Sequence, residues 1–159
     1  MDRAGWLSAF EQVIGEQIAA ARALAGRLED EARVLLERDL DGLDRVTAAK
    51  QACIDALERV ETERRALVAT VTGGSRAEGL EALLGRCDPS GRAIEGWREL
   101  AGLIEACRVR NAHNGRLVAL RRSQVLRSLR MLRGQSAGGT YQRSGATEST
   151  VPGRDLARA

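Results

Sequence analysis

The chain has 159 residues, enough for about one domain, and with 3% aromatic residues its core must consist of Leu, Ile, Val and Ala. Only two prolines occur, strand-forming runs are absent, and no apolar run is long enough for a membrane-spanning helix. The net charge of +3 is unevenly spread: residues 1–91 hold 12 basic and 17 acidic residues, whereas residues 92–159 hold 13 and 5. The second part is therefore the one that would attract acidic partners.

Two long amphipathic helices are predicted in the first half. Apolar residues recur at steps of three and four over residues 6–36 and again over residues 43–71. This spacing is typical of a helix face that packs on another helix. The pattern breaks at residues 38–42, where Asp39 is suited to cap the second helix. We therefore expect an antiparallel hairpin that turns near Asp39.

Two basic residues, Lys50 and Arg64, occupy apolar-face positions of the second helix. We expect their stems to lie along the apolar face and their charged ends to reach water. Gly73 and the residues after it should stop this helix. A short helix is predicted over residues 77–85, and turn residues follow it at 87–91.

A third long helix has the most informative sequence of the chain. Its inner face is predicted to comprise Trp97, Leu100, Ile104, Cys107, Asn111, Asn114, Val118, Arg121, Val125, Ser128 and Leu132. A buried amide must find a hydrogen-bond partner, so we interpret Asn111 and Asn114 as residues that fix the register of this helix. Gly115 beside them would permit a close backbone approach or a local bend. The fold class is therefore all-α: a hairpin, a short connecting helix and a third long helix packed on the hairpin.

The composition changes after Gly134. Residues 135–159 are rich in Gly, Ser, Thr and Arg and have little to bury, so a flexible tail is predicted there. Residues 1–134 would form the helical domain. Tyr141, the only tyrosine of the chain, falls in this tail.

No motif for catalysis or metal binding is present in the sequence. Cys53, Cys87 and Cys107 form no Cys-x-x-Cys pair, and with one histidine, His113, they give no metal-ligand spacing. We expect free thiols in a reducing compartment, with His113 on a helix surface. Eight arginines of the long helix leave nucleic-acid binding as a weak alternative, because no stacking aromatic residues interleave with them. No enzyme activity, cofactor or nucleic-acid partner is predicted.

Several short stretches together resemble the FlgN family of flagellar export chaperones. They are Leu35-Leu36-Glu37-Arg38-Asp39, then Leu43 with Lys50, Glu63-Arg64-Arg65, Cys107 followed by Asn111-x-x-Asn114-Gly115-x-Leu117-Val118, and Tyr141-x-x-x-Gly145. The resemblance covers most of residues 7–146. The tail departs from the family pattern, because it reads Thr140-Tyr141-Gln142 where members usually have Leu-Tyr-Gly.

The resemblance implies a small cytoplasmic helical protein without enzymatic activity, cofactor or membrane insertion. Such proteins bind the C-terminal segments of hook–filament junction proteins, prevent their premature assembly and deliver them to the flagellar type III export gate. The family's substrate-binding region maps here to Val118, Val125, Leu129 and Leu132, and its gate-docking tyrosine maps to Tyr141.

The alternative is a coiled-coil scaffold or dimerisation module that binds only its own kind. Arg121 and Ser128 interrupt the apolar face of the long helix, which disfavours uniform self-pairing. The identity of the junction subunit and the choice between monomer and dimer stay open at this point.

Overall fold

The computed structural model describes residues 2–72 and 79–133, and within these ranges the chain forms four α-helices and no strand. The helices are α1 (Arg3–Glu37), α2 (Leu40–Thr72), α3 (Leu80–Cys87) and α4 (Arg92–Leu132). The all-α prediction is confirmed. The chain divides into two compact units, of which the first comprises residues 1–122. In the second unit the described residues are 123–133, the last turns of α4.

The turn of the α1–α2 hairpin lies at Arg38 and Asp39, as predicted. Arg38 takes the left-handed backbone conformation with φ of 63°, which ends α1. The Asp39 carboxylate accepts a hydrogen bond from the Gly42 N–H at 2.8 Å and so caps the start of α2. At the opposite end of the hairpin, the Trp6 indole N–H donates to the Leu67 carbonyl at 2.9 Å. The two helices are therefore antiparallel.

Helix α4 packs along α1 in the first unit. The Cys107 thiol donates to the Ala21 carbonyl at 3.5 Å, and the Asn114 amide donates to the Leu28 carbonyl at 2.8 Å. Both pairs are separated by 86 residues along the chain, so α4 runs parallel to α1 and antiparallel to α2.

The core of the first unit lies between α1 and its neighbours. The expectation of a core of Leu, Ile, Val and Ala alone is wrong at one end of the hairpin, where Trp6 and Phe10 are 2% and 0% exposed. Their rings stack with centres 5.2 Å apart, and α3 covers this end of the hairpin. Gly96 allows the start of α4 to approach closely, because a Cβ atom there would lie 2.9 Å from Ile14 Cγ2. Two clusters result: Trp6, Phe10, Ile14, Ala21, Leu83, Leu84, Ala93 and Leu100; and Leu24, Ala25, Leu28 and Cys107.

A side-chain turn joins α3 to α4. The Asp88 carboxylate accepts hydrogen bonds from the Ser90 hydroxyl at 2.6 Å and from the Ala93 N–H at 2.7 Å. The hydrogen bond from Ser90 contributes most to holding the pKa of Asp88 below its usual value. The turn begins at Asp88, directly after the last residue of α3, Cys87. The helix therefore ends later than the predicted Gly85.

The predicted domain boundary at residue 134 and the predicted tail over residues 135–159 lie outside the described residues. Both stay predictions. Among the residues that the structure describes, no helix is long and apolar enough to cross a membrane.

Candidate functional site

A polar cluster joins α1, α2 and α4 inside the first unit. Glu31 of α1 is 6% exposed, and its Oε1 accepts a hydrogen bond from Lys50 Nζ of α2 at 2.5 Å. Its Oε2 accepts one from Asn114 Nδ2 of α4 at 2.8 Å. Asn114 is 3% exposed, and the same nitrogen donates to the Leu28 carbonyl. One carboxylate thus binds a side chain from each of the other two long helices.

This cluster resists sliding of the helices past one another. A shift of α4 along α1 would remove the Asn114 amide from Glu31, and a shift of α2 would separate Lys50 from the same carboxylate. A buried charge that loses its partner typically costs about 3–5 kcal/mol, so one register is strongly preferred. Asn114 therefore has the partners that a register residue requires.

The other two residues predicted with Asn114 occupy different surroundings. Asn111 and Gly115 are both exposed, as is the neighbouring His113. A Cβ atom at Gly115 would meet nothing within 4 Å, so no close backbone approach requires glycine there. Of the three predicted residues, Asn114 is the buried one.

A second polar cluster lies around Glu61 of α2. Its carboxylate accepts hydrogen bonds from Gln17 Nε2 of α1 at 2.8 Å, from Arg64 at 2.8 and 2.9 Å and from Arg65 at 2.7 Å. Burial raises the pKa of Glu61, but the bonds from Arg64, Gln17 and Arg65 outweigh burial and lower it to about 2. The Arg64 guanidinium lies 4.8 Å from the centre of the Trp97 ring, a cation–π contact between α2 and α4.

The apolar residues predicted to bind substrate are accessible. Val118, in the first unit, is 46% exposed. In the second unit Val125 is 59%, Leu129 41% and Leu132 83% exposed. Within the second unit, steps of four and three residues place Val125, Leu129 and Leu132 in one apolar stripe on one side of the helix. Residues 106–133 carry eight arginines and no acidic residue, so this apolar stripe lies on a basic stretch of helix.

A comparison of the sequence with known protein families identifies the family of this chain. The family model described as FlgN protein matches residues 1–149. The chain belongs to the FlgN family. FlgN proteins are flagellar export chaperones, so the resemblance seen in the sequence is confirmed. Comparisons with curated proteins and with solved structures find no match for the chain.

The environment predicted for two basic residues of this FlgN-family chain is wrong. The side chains of Lys50 and Arg64 are only 18% and 11% exposed, and their charged ends contact carboxylates. Lys50 binds Glu31 and Arg64 binds Glu61. Burial of a charge is tolerated when a partner compensates it. The partner of Arg64 lies three residues earlier on α2, whereas the partner of Lys50 lies on α1 and could not be assigned from the α2 pattern.

In the sequence, Glu29, Asp30 and Glu31 are typical of a solvated helix face, but for Glu31 this interpretation is wrong, since Glu31 is 6% exposed. Gln17, which is 2% exposed, was not predicted to lie in the interior. A usable signal was present, since both residues continue the steps of three and four along the buried face of α1. That face comprises Phe10, Ile14, Gln17, Ala21, Leu24, Leu28, Glu31 and Leu35. A polar residue at such a position predicts a partner on the facing helix.

The three cysteines of this FlgN-family chain are free. Burial raises the pKa of the Cys107 thiol, which keeps it protonated and a poor nucleophile. In the described parts of the chain, no group of three or more metal-binding side chains comes together. The predicted docking residue Tyr141 lies outside the described residues.

Proposed function

We propose that this FlgN-family chain is a cytoplasmic type III export chaperone for hook–filament junction proteins. It binds the C-terminal helical segments of these subunits, prevents their premature assembly and delivers them to the export gate. Family membership supports the general role. The observation that carries the specific proposal is the exposure of Val125, Leu129 and Leu132 on successive turns of one helix.

The chemistry of the substrates explains why such a stripe is useful. Junction subunits polymerise through amphipathic terminal helices, whose apolar faces are exposed before assembly. A helix that presents apolar side chains at steps of three and four can cover such a face by helix-on-helix packing. Complete burial of a fully exposed valine or leucine is worth about 1.5–3 kcal/mol. Val118, Val125, Leu129 and Leu132 are 46%, 59%, 41% and 83% exposed, so covering each of them contributes a corresponding part of that energy.

The charge of the same stretch favours a particular kind of substrate segment. Arg121, Arg122, Arg127 and Arg130 fall among the proposed binding residues 118–132, a range that contains no acidic residue. A substrate helix with acidic residues beside its apolar face would be attracted faster and held in register. We therefore expect binding by this chain to weaken at high salt.

Delivery to the export gate is assigned to Tyr141. A single aromatic ring offers a large apolar area and a hydroxyl while it has few rotamers to fix on binding. Its assignment depends on the family tail pattern, from which this sequence departs at Thr140 and Gln142.

The test separates the chaperone from the coiled-coil scaffold, the alternative left open by the sequence. The tagged chain is purified from a flagellated cell, and the proteins bound to it are identified by mass spectrometry. The molar mass of the purified chain in solution is measured by light scattering. We expect a junction subunit in stoichiometric amount and a free chain that does not self-associate through α4. A stable homo-oligomer with no flagellar subunit would support the scaffold and contradict the proposal.

A further inference from the structure

A furrow between α2 and α4 is separate from the residues assigned to substrate binding. Its volume is about 490 Å³, within the range of small ligand sites. Leu57 of α2 and Trp97, Leu100 and Ile104 of α4 form its apolar walls, and Gln17 of α1 lies at its base. All these residues belong to the first unit.

The dimensions of the furrow suit a short length of helix. Its lining spans residues 57–64 of α2 and residues 97–105 of α4, which is about two turns and roughly 10–12 Å on each side. The lining residues recur at steps of three and four on both helices. Grooves of this kind between two helices accept the apolar face of a third helix.

Gln17, one of the residues that line this furrow, has a side-chain acceptor without a hydrogen-bond partner in the part of the chain that the structure describes. Its side chain is 2% exposed, and its Nε2 donates to Glu61. The amide orientation is fixed, since the Glu61 carboxylate accepts hydrogen bonds and would repel the amide oxygen. Gln17 Oε1 is the buried side-chain atom that lacks a partner within the described residues. An unsatisfied buried acceptor destabilises the fold, and a donor on the occupant would offset this loss.

The charge of the rim defines the occupant further. Three carboxylates line the furrow, those of Glu58, Glu61 and Glu105, against one cation, Arg64. Arg64 and Arg65, the latter outside the lining, both bind Glu61, so the negative charge of the rim rests on Glu58 and Glu105. Glu105 makes only a long, exposed contact with Arg108 at 3.7 Å, which is worth little in water. The rim is therefore net negative.

We propose that this furrow binds about two turns of a basic amphipathic helix from a partner protein. The apolar face of that helix covers Leu57, Trp97 and Ile104. A side-chain donor on the same face, such as a glutamine amide, binds Gln17 Oε1, and arginine or lysine on its flanks pairs with Glu58 and Glu105. This is a second protein-binding surface, independent of the apolar stripe of α4.

The probe is a labelled synthetic helix with leucines and one glutamine on one face and arginines on both flanks. A matched peptide carries glutamate in place of every arginine. Fluorescence anisotropy with the full chain should show binding of the basic peptide at least about tenfold tighter than that of the acidic one. Equal binding of the two peptides would overturn the proposal.

Variants of the chain locate the bound peptide. Ala101 lines the furrow and is exposed, so Ala101→Trp fills the furrow without entering the core and should abolish binding. Ala112→Trp, at an exposed position of α4 outside the furrow, should bind as wild type. Unchanged peptide binding by the Ala101→Trp variant would overturn the assignment. It would also be overturned if the wild-type chain self-associates and Ala101→Trp abolishes that self-association, because the occupant would then be a second copy of the chain.

A charge reversal provides a test that does not depend on filling the furrow. Glu58→Arg with Glu105→Arg changes two exposed side chains and should invert the preference, so that the acidic peptide binds more tightly. A preference that stays basic would contradict the proposal. Val125→Glu with Leu129→Glu should leave peptide binding unchanged, which separates this surface from the proposed junction-protein site.

Discussion

Asn114 of α4 donates a hydrogen bond to Glu31 of α1 at 2.8 Å, and both side chains are almost completely buried. Because Glu31 also binds Lys50, this contact ties the third long helix to the charged pair of the hairpin. Asn114→Ala removes one donor from a buried carboxylate. We expect the free energy of unfolding in urea to fall by about 1–3 kcal/mol.

Asn111→Ala is the matched control for that variant. Asn111 is the same residue type on the same helix, but it is exposed. Surface substitutions of this kind usually change stability by less than about 0.5 kcal/mol. Equal losses in the two variants would show that the Asn114–Glu31 contact does not hold α4 in place.

The stability of the fold should depend on pH through Glu61. Its pKa is about 2 in the folded chain and 4.5 without perturbation, so the ionised form stabilises the fold above pH 4.5. This contribution, at most about 3 kcal/mol, should be lost as the pH falls toward 2. Urea titrations of wild type and Glu61→Gln should therefore diverge at neutral pH and converge in acid. Parallel pH profiles would contradict the assignment.

Two glycines of α4 should respond in opposite directions to the same substitution. Gly102→Ala meets nothing within 4 Å and should stabilise the chain by about 0.5–1 kcal/mol through helix propensity. Gly96→Ala would place its Cβ 2.9 Å from Ile14 Cγ2, so overpacking should outweigh that gain and lower the melting temperature. Stabilisation by both variants would mean that α4 does not pack closely on α1 at Gly96.

Tyr141→Ala should weaken binding to the export gate without affecting the fold. Loss of an aromatic anchor at an interface commonly costs more than about 1–2 kcal/mol, which is roughly tenfold in affinity. Titration calorimetry with the purified gate domain measures this change, and Tyr141→Phe shows how much of it comes from the hydroxyl. A large drop in melting temperature, or an unchanged gate affinity, would each reject the docking role.

Much of the fold was predictable because long helices leave a strong periodic signal. The steps of three and four gave the hairpin and the third long helix, and the break at Asp39 gave the turn. The sequence pattern could not separate Asn111 from Asn114, since both fit the same stepping. The choice depends on Leu28 and Glu31 of α1, which are distant in sequence and contact only Asn114 of the two.

The periodicity of apolar residues could not predict which side chains on other helices pair with the buried polar and charged residues. Lys50 was correctly placed on an inner face, but nothing in α2 indicates that a carboxylate of α1 lies opposite. The same holds for Gln17 and Glu61, whose hydrogen bond spans the hairpin. These pairings are tertiary contacts, so they depend on how the helices are aligned with one another. The apolar pattern of each helix alone is compatible with several such alignments.

The central claim is that the apolar stripe at the end of α4 binds junction proteins. Val125→Glu with Leu129→Glu adds two charges to this stripe. Gln124→Glu with Met131→Glu, at exposed positions about 100° away around the helix from Val125 and Leu132, is the matched control. Titration calorimetry with a purified hook–filament junction protein should show the first variant binding at least about tenfold more weakly and the control binding as wild type. Wild-type affinity in the Val125→Glu, Leu129→Glu variant, with helicity and melting temperature unchanged, would contradict the claim.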